Sequence, residues 1–232
     1  MFYYGFDLTY LIMVMPFVIL SIWASSNVNS TFNRYAKQLS SRRITGAQAA
    51  QRVLSANGVS GVKIERVGGN LTDHYDPRTN VIRLSDNVYG STSTAAIGVA
   101  CHEAGHAVQY ATNYGPIRLR ASIVSLTQFA SRWSIYILMF GILLSFGTLA
   151  YVGFWLYAVV AFFQLVTLPV EFNASRRAIT ALEDGGSLDR EELSGAKKVL
   201  SAAAMTYVAA LASSLLTLLR LVILAGGGRR RD

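Results

Sequence analysis

The sequence predicts a mainly α fold: a multi-pass membrane helical bundle carrying an aqueous part with a small antiparallel β-sheet. Three observations point there. The chain of 232 residues is 52% hydrophobic and only 15% charged, against about 25% charged in ordinary soluble domains. The windows 8–24, 134–170 and 205–225 hold 75 residues and one charge, Arg220, and each approaches or exceeds the ~20 apolar residues that cross a bilayer. The remaining 157 residues hold 33 of the 34 charges, or 21%, close to a soluble composition. This excludes a disordered chain, an acidic tail protein and an ordinary soluble enzyme. One cysteine, Cys101, excludes an internal disulfide framework and any cysteine-based zinc module. No aromatic-plus-basic motif suggests nucleic acid, and the net charge of +8 reads as membrane-topology charge.

The first window, Leu8 to Ala24, has no Lys or Arg before it, so it reads as an uncleaved anchor rather than a signal peptide. Arg34, Lys37, Arg42, Arg43 and Arg52 follow it. The positive-inside rule then puts the N-terminus outside and the next segment in the cytoplasm. Thr45 to Ala56 is a short amphipathic helix with Gly58 as its stop. Three β-like runs follow, Val62 to Val67, Leu71 to Tyr75 and Val81 to Ser85, separated by turn compositions. They predict an antiparallel meander. Ser91 to Thr94 supplies the N-cap of a helix from Ala95 to about Thr112. The window Ser134 to Val170 would be roughly 55 Å long as one helix. It therefore predicts a hairpin of two helices turning near Gly147 to Gly153 and recruiting flanking residues such as Leu126 to Trp133. Such a hairpin returns residue 171 to the side of residue 133. Pro169 suits the first turn of the next helix, Gly185-Gly186-Ser187 breaks it, and Asp189 to Leu200 resumes it. Met205 to Ala225 is long enough for a fourth span. Crossing outward would leave Arg229, Arg230 and Arg231 outside, against the positive-inside rule, so a full span and a partial one both stay open.

The chemistry is concentrated in His102-Glu103-Ala104-Gly105-His106. Residues i and i+4 share a helix face, so both imidazoles can bind one zinc ion. Glu103 stands beside them, placed to act as general base on a zinc-activated water. With three histidines in the chain, the pattern arises by chance about once in a thousand such sequences. A catalytic zinc site takes a third protein ligand and keeps one position open. A histidine six residues after His106 would make a metzincin, but that position is Thr112. The first acidic residue downstream is Glu171, ending the hydrophobic hairpin. The hairpin parity puts it on the side of His106, which makes it the candidate third ligand, or a helix-opening glutamate that only complements the helix dipole, with Glu183 in reserve. Gln109, Asn113 and the polar flanks place the motif in water at the membrane face rather than at mid-bilayer.

Other residues carry weaker signals. His74 is a candidate for stabilising an oxyanion or orienting substrate, or a structural residue of the strand and turn. Tyr207 is a second oxyanion candidate, or an interfacial aromatic at a helix entrance. Cys101, about 100° around the helix from His102, reads as small packing. Val81 to Ser85 is either an edge strand that binds an extended peptide by β-addition or an ordinary sheet strand.

The stretches His102 to Gln109 (HEAGHAVQ), Leu168 to Arg177 (LPVEFNASRR) and Asp73 to Pro77 (DHYDP) resemble the YugP-type neutral zinc metallopeptidases of bacterial membranes, over nearly the whole chain. The resemblance implies a membrane zinc peptidase of the gluzincin kind, with a zincin-like aqueous domain. Its ligands would be His102, His106 and Glu171, and its catalytic base Glu103. More distant relatives of this layout continue the third-ligand motif as Glu-x-x-x-Asp; here that position is Ser175.

The expected layout is then an anchor at 1–24, a cytoplasmic metallopeptidase part at 25–133, a transmembrane hairpin at 134–170, cytoplasmic helices with the third ligand at 171–204, and a hydrophobic helix with basic tail at 205–232. The expected function is zinc-dependent endopeptidase in the bacterial inner membrane. It would hold one Zn2+ per chain, act at the cytoplasmic face and take a peptide or membrane-protein substrate. The competing class is a non-enzymatic membrane zinc protein with a structural or docking role. The physiological substrate and the oligomeric state are not legible in the sequence.

Overall fold

A computed structural model describes residues 8–227; the expected basic tail, Arg229 to Arg231, lies outside the described residues. In chain order the elements are α1 (Leu8–Met13), α2 (Met15–Tyr35), α3 (Gly46–Ala56), β1 (Lys63–Val67), β2 (His74–Asp76), β3 (Val81–Ser85), α4 (Asp86–Tyr89), α5 (Thr94–Ala111), α6 (Gly115–Leu143), α7 (Gly147–Asp184) and α8 (Arg190–Gly227). Two compact units emerge. One comprises residues 25–118 and 169–205, the other 1–24, 119–168 and 206–232.

The first unit is built around α5. Local chemistry fixes its helices. Thr45 caps α3 in a reciprocal box, its hydroxyl accepting from the Gln48 amide while Gln48 reaches back to the Thr45 amide. Ser93 caps α5 by accepting from the Ala96 amide at 3.2 Å. Asp189 and Glu192 form a second reciprocal cap at the start of α8. Because α5 is rich in Ala and Gly, it packs closely on several sides. Ala96, Ala100, Cys101, Ala104 and Val108 are buried against Val53 and Leu54 of α3, Ile82 and Leu84 of β3, and Ala196 and Leu200 of α8 within one hydrophobic core.

The sheet departs from the expected meander. Its order is β1-β3-β2, with β1 parallel to β3 and β2 antiparallel to it. The sheet is thus small but mixed. The reason lies in β3, where Val81, Ile82, Leu84 and Ser85 are all buried. A strand buried on both faces takes the centre, and the more exposed β1 and β2 take the edges. β3 is therefore the central strand, paired with β1 along its length and with β2 over Val81 to Arg83, rather than the edge strand that peptide addition was expected to use. The short helix α4 follows β3 directly and has no counterpart in the sequence expectations.

In the other unit the chargeless window does fold as two helices. The break falls at residues 144–146, earlier than Gly147 to Gly153. Ser145 adopts φ 53°, and the Phe146 amide donates to the Gly141 carbonyl at 2.8 Å, the six-to-one bond of a helix that ends in a left-handed residue. Gly141 and Gly153 lie inside α6 and α7, where a Cβ would strike the Ala150 and Leu138 backbones respectively. They serve close helix packing rather than the turn.

Pro169 does not start a helix; it sits inside α7. An internal proline costs a hydrogen bond and ~3 kcal/mol. The helix continues because Val170, Ala174, Ala178 and Leu182 beyond it, spaced by four, are all buried.

Among the described residues, three helical stretches are long and apolar enough to cross a membrane: Leu11–Tyr35, Gly147–Asp184 and Arg190–Ile223. α6 is not among them, its apolar run being diluted by Gln128, Ser131, Arg132 and Ser134.

Candidate metal centre

α5 and α7 build the site within the first unit. On α5, His102 and His106 are one turn apart. On α7, Glu171 and Ser175 are likewise one turn apart. Between them the helices nearly touch: a Cβ on Gly105 would lie 2.6 Å from the Ala174 carbonyl oxygen. That contact lets three side chains converge. One ligand atom each from His102, His106 and Glu171 lie within 4.8 Å of one another. His102 Nε2 is 3.1 Å from Glu171 Oε2, and His106 Nε2 is 3.6 Å from the same oxygen. The two imidazoles meet edge to face with centroids 4.7 Å apart. The Glu171 side chain is 3% exposed, and those of His102 and His106 14% and 12%.

Each histidine turns its other nitrogen to a neutral partner. His102 Nδ1 is 3.1 Å from Ser175 Oγ, and His106 Nδ1 is 3.0 Å from Gln109 Oε1. Gln109 is itself fixed, its amide nitrogen donating to the Val170 carbonyl at 2.8 Å and to Asn173 Oδ1 at 3.0 Å. Gln109 Oε1 accepts, so Nδ1 of His106 donates and its Nε2 is the nitrogen turned to Glu171, the arrangement of an imidazole that binds a metal through Nε2. Two imidazoles and one carboxylate are a donor set that suits zinc, and these residues fit it.

Burial works against a charged His106, but the Glu171 and Glu103 carboxylates and the Gln109 oxygen outweigh it and raise its pKa. The site therefore favours positive charge. Glu103, also buried on α5, contributes to that field.

The remaining candidates fall elsewhere. His74 opens β2, exposed, with Nδ1 2.8 Å from the Thr72 carbonyl; it is outside the ligand cluster. Its neighbours build the turn. Asp73 accepts the Ser85 amide at 2.7 Å, and Asp76 accepts from the Arg78 amide, Thr79 and Arg83. Tyr207 lies half-buried on α8 in the other unit. Glu183 is exposed and three turns beyond Glu171 on the same helix, roughly 18 Å along it. Cys101 is fully buried in the core, which raises its thiol pKa strongly.

Known proteins bear on this geometry. A family model described as "Putative neutral zinc metallopeptidase" matches residues 10–226. The chain belongs to this family. It is also 47% identical over 191 residues, 82% of this chain and 85% of the relative, to a Bacillus subtilis (strain 168) protein named "Putative membrane protease YugP". No solved structure matches. The family name indicates a zinc metallopeptidase, and the relative's name a membrane protease. Both agree with a His/His/Glu cluster and three apolar helices in one chain.

Sequence reasoning took Gln109 as a sign of contact with water, whereas it is fully buried and bonded between α5 and α7, and it assigned Asn173 no role. The signal for Gln109 was present, since a residue three positions after His106 shares its helix face. Asn173 had none for this role, because the Gln109 amide it receives comes from another helix.

Proposed function

We propose that this protein is a membrane-embedded zinc endopeptidase that hydrolyses peptide bonds, with one zinc ion per chain held by His102, His106 and Glu171. The observation that carries this is the convergence of those three donor atoms within 4.8 Å, with Glu103 buried on the same helix as the imidazoles. Bound there, zinc supplies the Lewis acidity that polarises a scissile carbonyl and acidifies a water molecule.

The protein residues do the rest. Glu103 accepts the proton of the attacking water and then delivers it to the leaving amine, so one carboxylate serves as base and then as acid. Glu171 carries one negative charge into the ligand set and is held by both imidazoles. Ser175 and Gln109 keep the imidazoles in the tautomer that presents Nε2. The low exposure of the site strengthens these interactions over their value in water.

The apolar helices and the relative named as a membrane protease support a multi-pass location in the bacterial inner membrane. The basic residues that follow the first apolar window support a cytoplasmic active site. The substrate class is a peptide or a membrane protein presented at that face.

The test is Glu103→Gln in the purified, detergent-solubilised chain, assayed on a peptide library. The variant should bind zinc like the native chain and lose cleavage by at least ~100-fold, the lower end of what a positioned acid–base group supplies. Full cleavage by Glu103→Gln would overturn the mechanism. Absence of zinc from the native chain would overturn the site.

A further inference from the structure

His106 is held by a relay that runs back into α7. Its Nδ1 meets Gln109 Oε1 at 3.0 Å. The amide nitrogen of Gln109 has two protons, and both are used, one on the Val170 carbonyl and one on Asn173 Oδ1. Asn173 Oδ1 in turn accepts from Arg177 Nε at 2.8 Å. The pattern leaves no freedom to Gln109. Rotating its amide by half a turn would put its oxygen against two acceptors and its NH2 against the imidazole N–H. Gln109 is fully buried, so each unmatched group would also carry a desolvation cost. The amide can therefore only present an acceptor to His106.

We infer that Gln109 is a positioning residue for the metal centre, one that holds Nδ1 of His106 protonated and Nε2 free to bind the ion, with Asn173 and Arg177 locking the orientation of its amide. This rests on the zinc site proposed above and deepens it. The imidazole that commonly donates to a carboxylate in such centres here donates to a neutral amide, whose direction is set by a chain of hydrogen bonds ending on a guanidinium. The ligand is thus oriented without a further negative charge being placed behind it.

Three variants of the full-length protein decide the matter, by zinc competition against a chelator and by the low-field Nδ1–H proton resonance of His106 in the metal-free chain. Gln109→Met keeps the volume and removes the acceptor; it should weaken zinc by ~10- to 100-fold and abolish the resonance. Asn173→Leu frees the amide and should weaken zinc in the same direction. Asn173→Asp keeps an oxygen for both Gln109 and Arg177, and should restore native affinity and the resonance. That rescue separates positioning from general packing, because the aspartate is no better a packing residue than the leucine. Thr112→Val serves as control, since it removes hydroxyl bonds to the Val108 and Gln109 backbone carbonyls at the same helix end and leaves every side-chain bond of the relay in place. Zinc affinity within twofold of native in Gln109→Met, or equal loss in both Asn173 variants, would overturn the inference. If the native chain binds no zinc, the proposed function fails, and the resonance still decides whether Gln109 holds His106.

Discussion

The contact between Gly105 and Ala174 gives the most direct handle on how the fold assembles the site. In Gly105→Ala the new methyl would lie 2.6 Å from the Ala174 carbonyl oxygen, where ordinary contact begins at 3.4 Å. The obstacle is helix backbone, so α5 and α7 must separate by about 0.8 Å, the shortfall against an ordinary contact. Metal–ligand distances tolerate only about ±0.2 Å, and Glu171 and Ser175 flank Ala174 on the helix that moves. The expected result is a loss of zinc affinity of at least ~10-fold and an overpacking cost of about 1–3 kcal/mol. Chelator competition reads the first, and thermal unfolding of the metal-free chain reads the second. Gly98→Ala separates the two effects. Its methyl would meet the Ala196 side chain at 3.3 Å, a milder contact on the same helix but against α8. It should lower stability modestly and keep zinc. Native zinc affinity in Gly105→Ala, or equal zinc loss in both variants, would refute the view that close approach of α5 and α7 sets the ligand geometry.

Other perturbations test separate parts of the structure. Ser175→Ala removes the partner of His102 Nδ1 and should weaken zinc by ~10-fold, the lower end for such partners; an unchanged dissociation constant would count against the role given to Ser175. Leu54→Ala empties a site that is 1% exposed and should cost about 2–5 kcal/mol in denaturant unfolding, with zinc retained by the folded fraction. Asp76 has its carboxyl pKa lowered to about 2 by hydrogen bonds from Thr79, the Arg78 amide and Arg83. Its contribution to stability is present above the ordinary carboxylate pKa of about 4 and is lost as pH falls from there towards 2. Asp76→Asn should therefore flatten the drop in Tm over that window, and a drop as steep as in the native chain would contradict the assignment.

Much of this was legible in the chain. The helix from Ser93 to Ala111 follows from its cap and composition, and the spacing of His102 and His106 puts them on one face of any helix. Glu171 was found by elimination, as the first acidic residue after a long chargeless run. The hairpin fold of that run was legible from its length, though not the turn residue. Ser145 adopts a left-handed conformation that glycine or asparagine takes more readily, so its residue type did not mark it as the turn. The errors have a common cause. Pro169 was read by its local preference, and packing of Val170 to Leu182 overrode it. The sheet was read as a meander because its runs are close in sequence, whereas burial of β3 on both faces sent it to the centre.

What the sequence determined by itself is therefore the set of groups: two imidazoles and a carboxylate at helical spacing, a distant carboxylate, and the apolar segments between them. These depend on residue type and local periodicity, which a single chain displays directly. Only the tertiary structure decided which groups stand behind the ligands. Ser175, Gln109 and Asn173 are ordinary polar residues until α5 and α7 are pressed together at Gly105. Hydrogen bonds act over about 3 Å, and no one-dimensional pattern carries distances between helices to that precision.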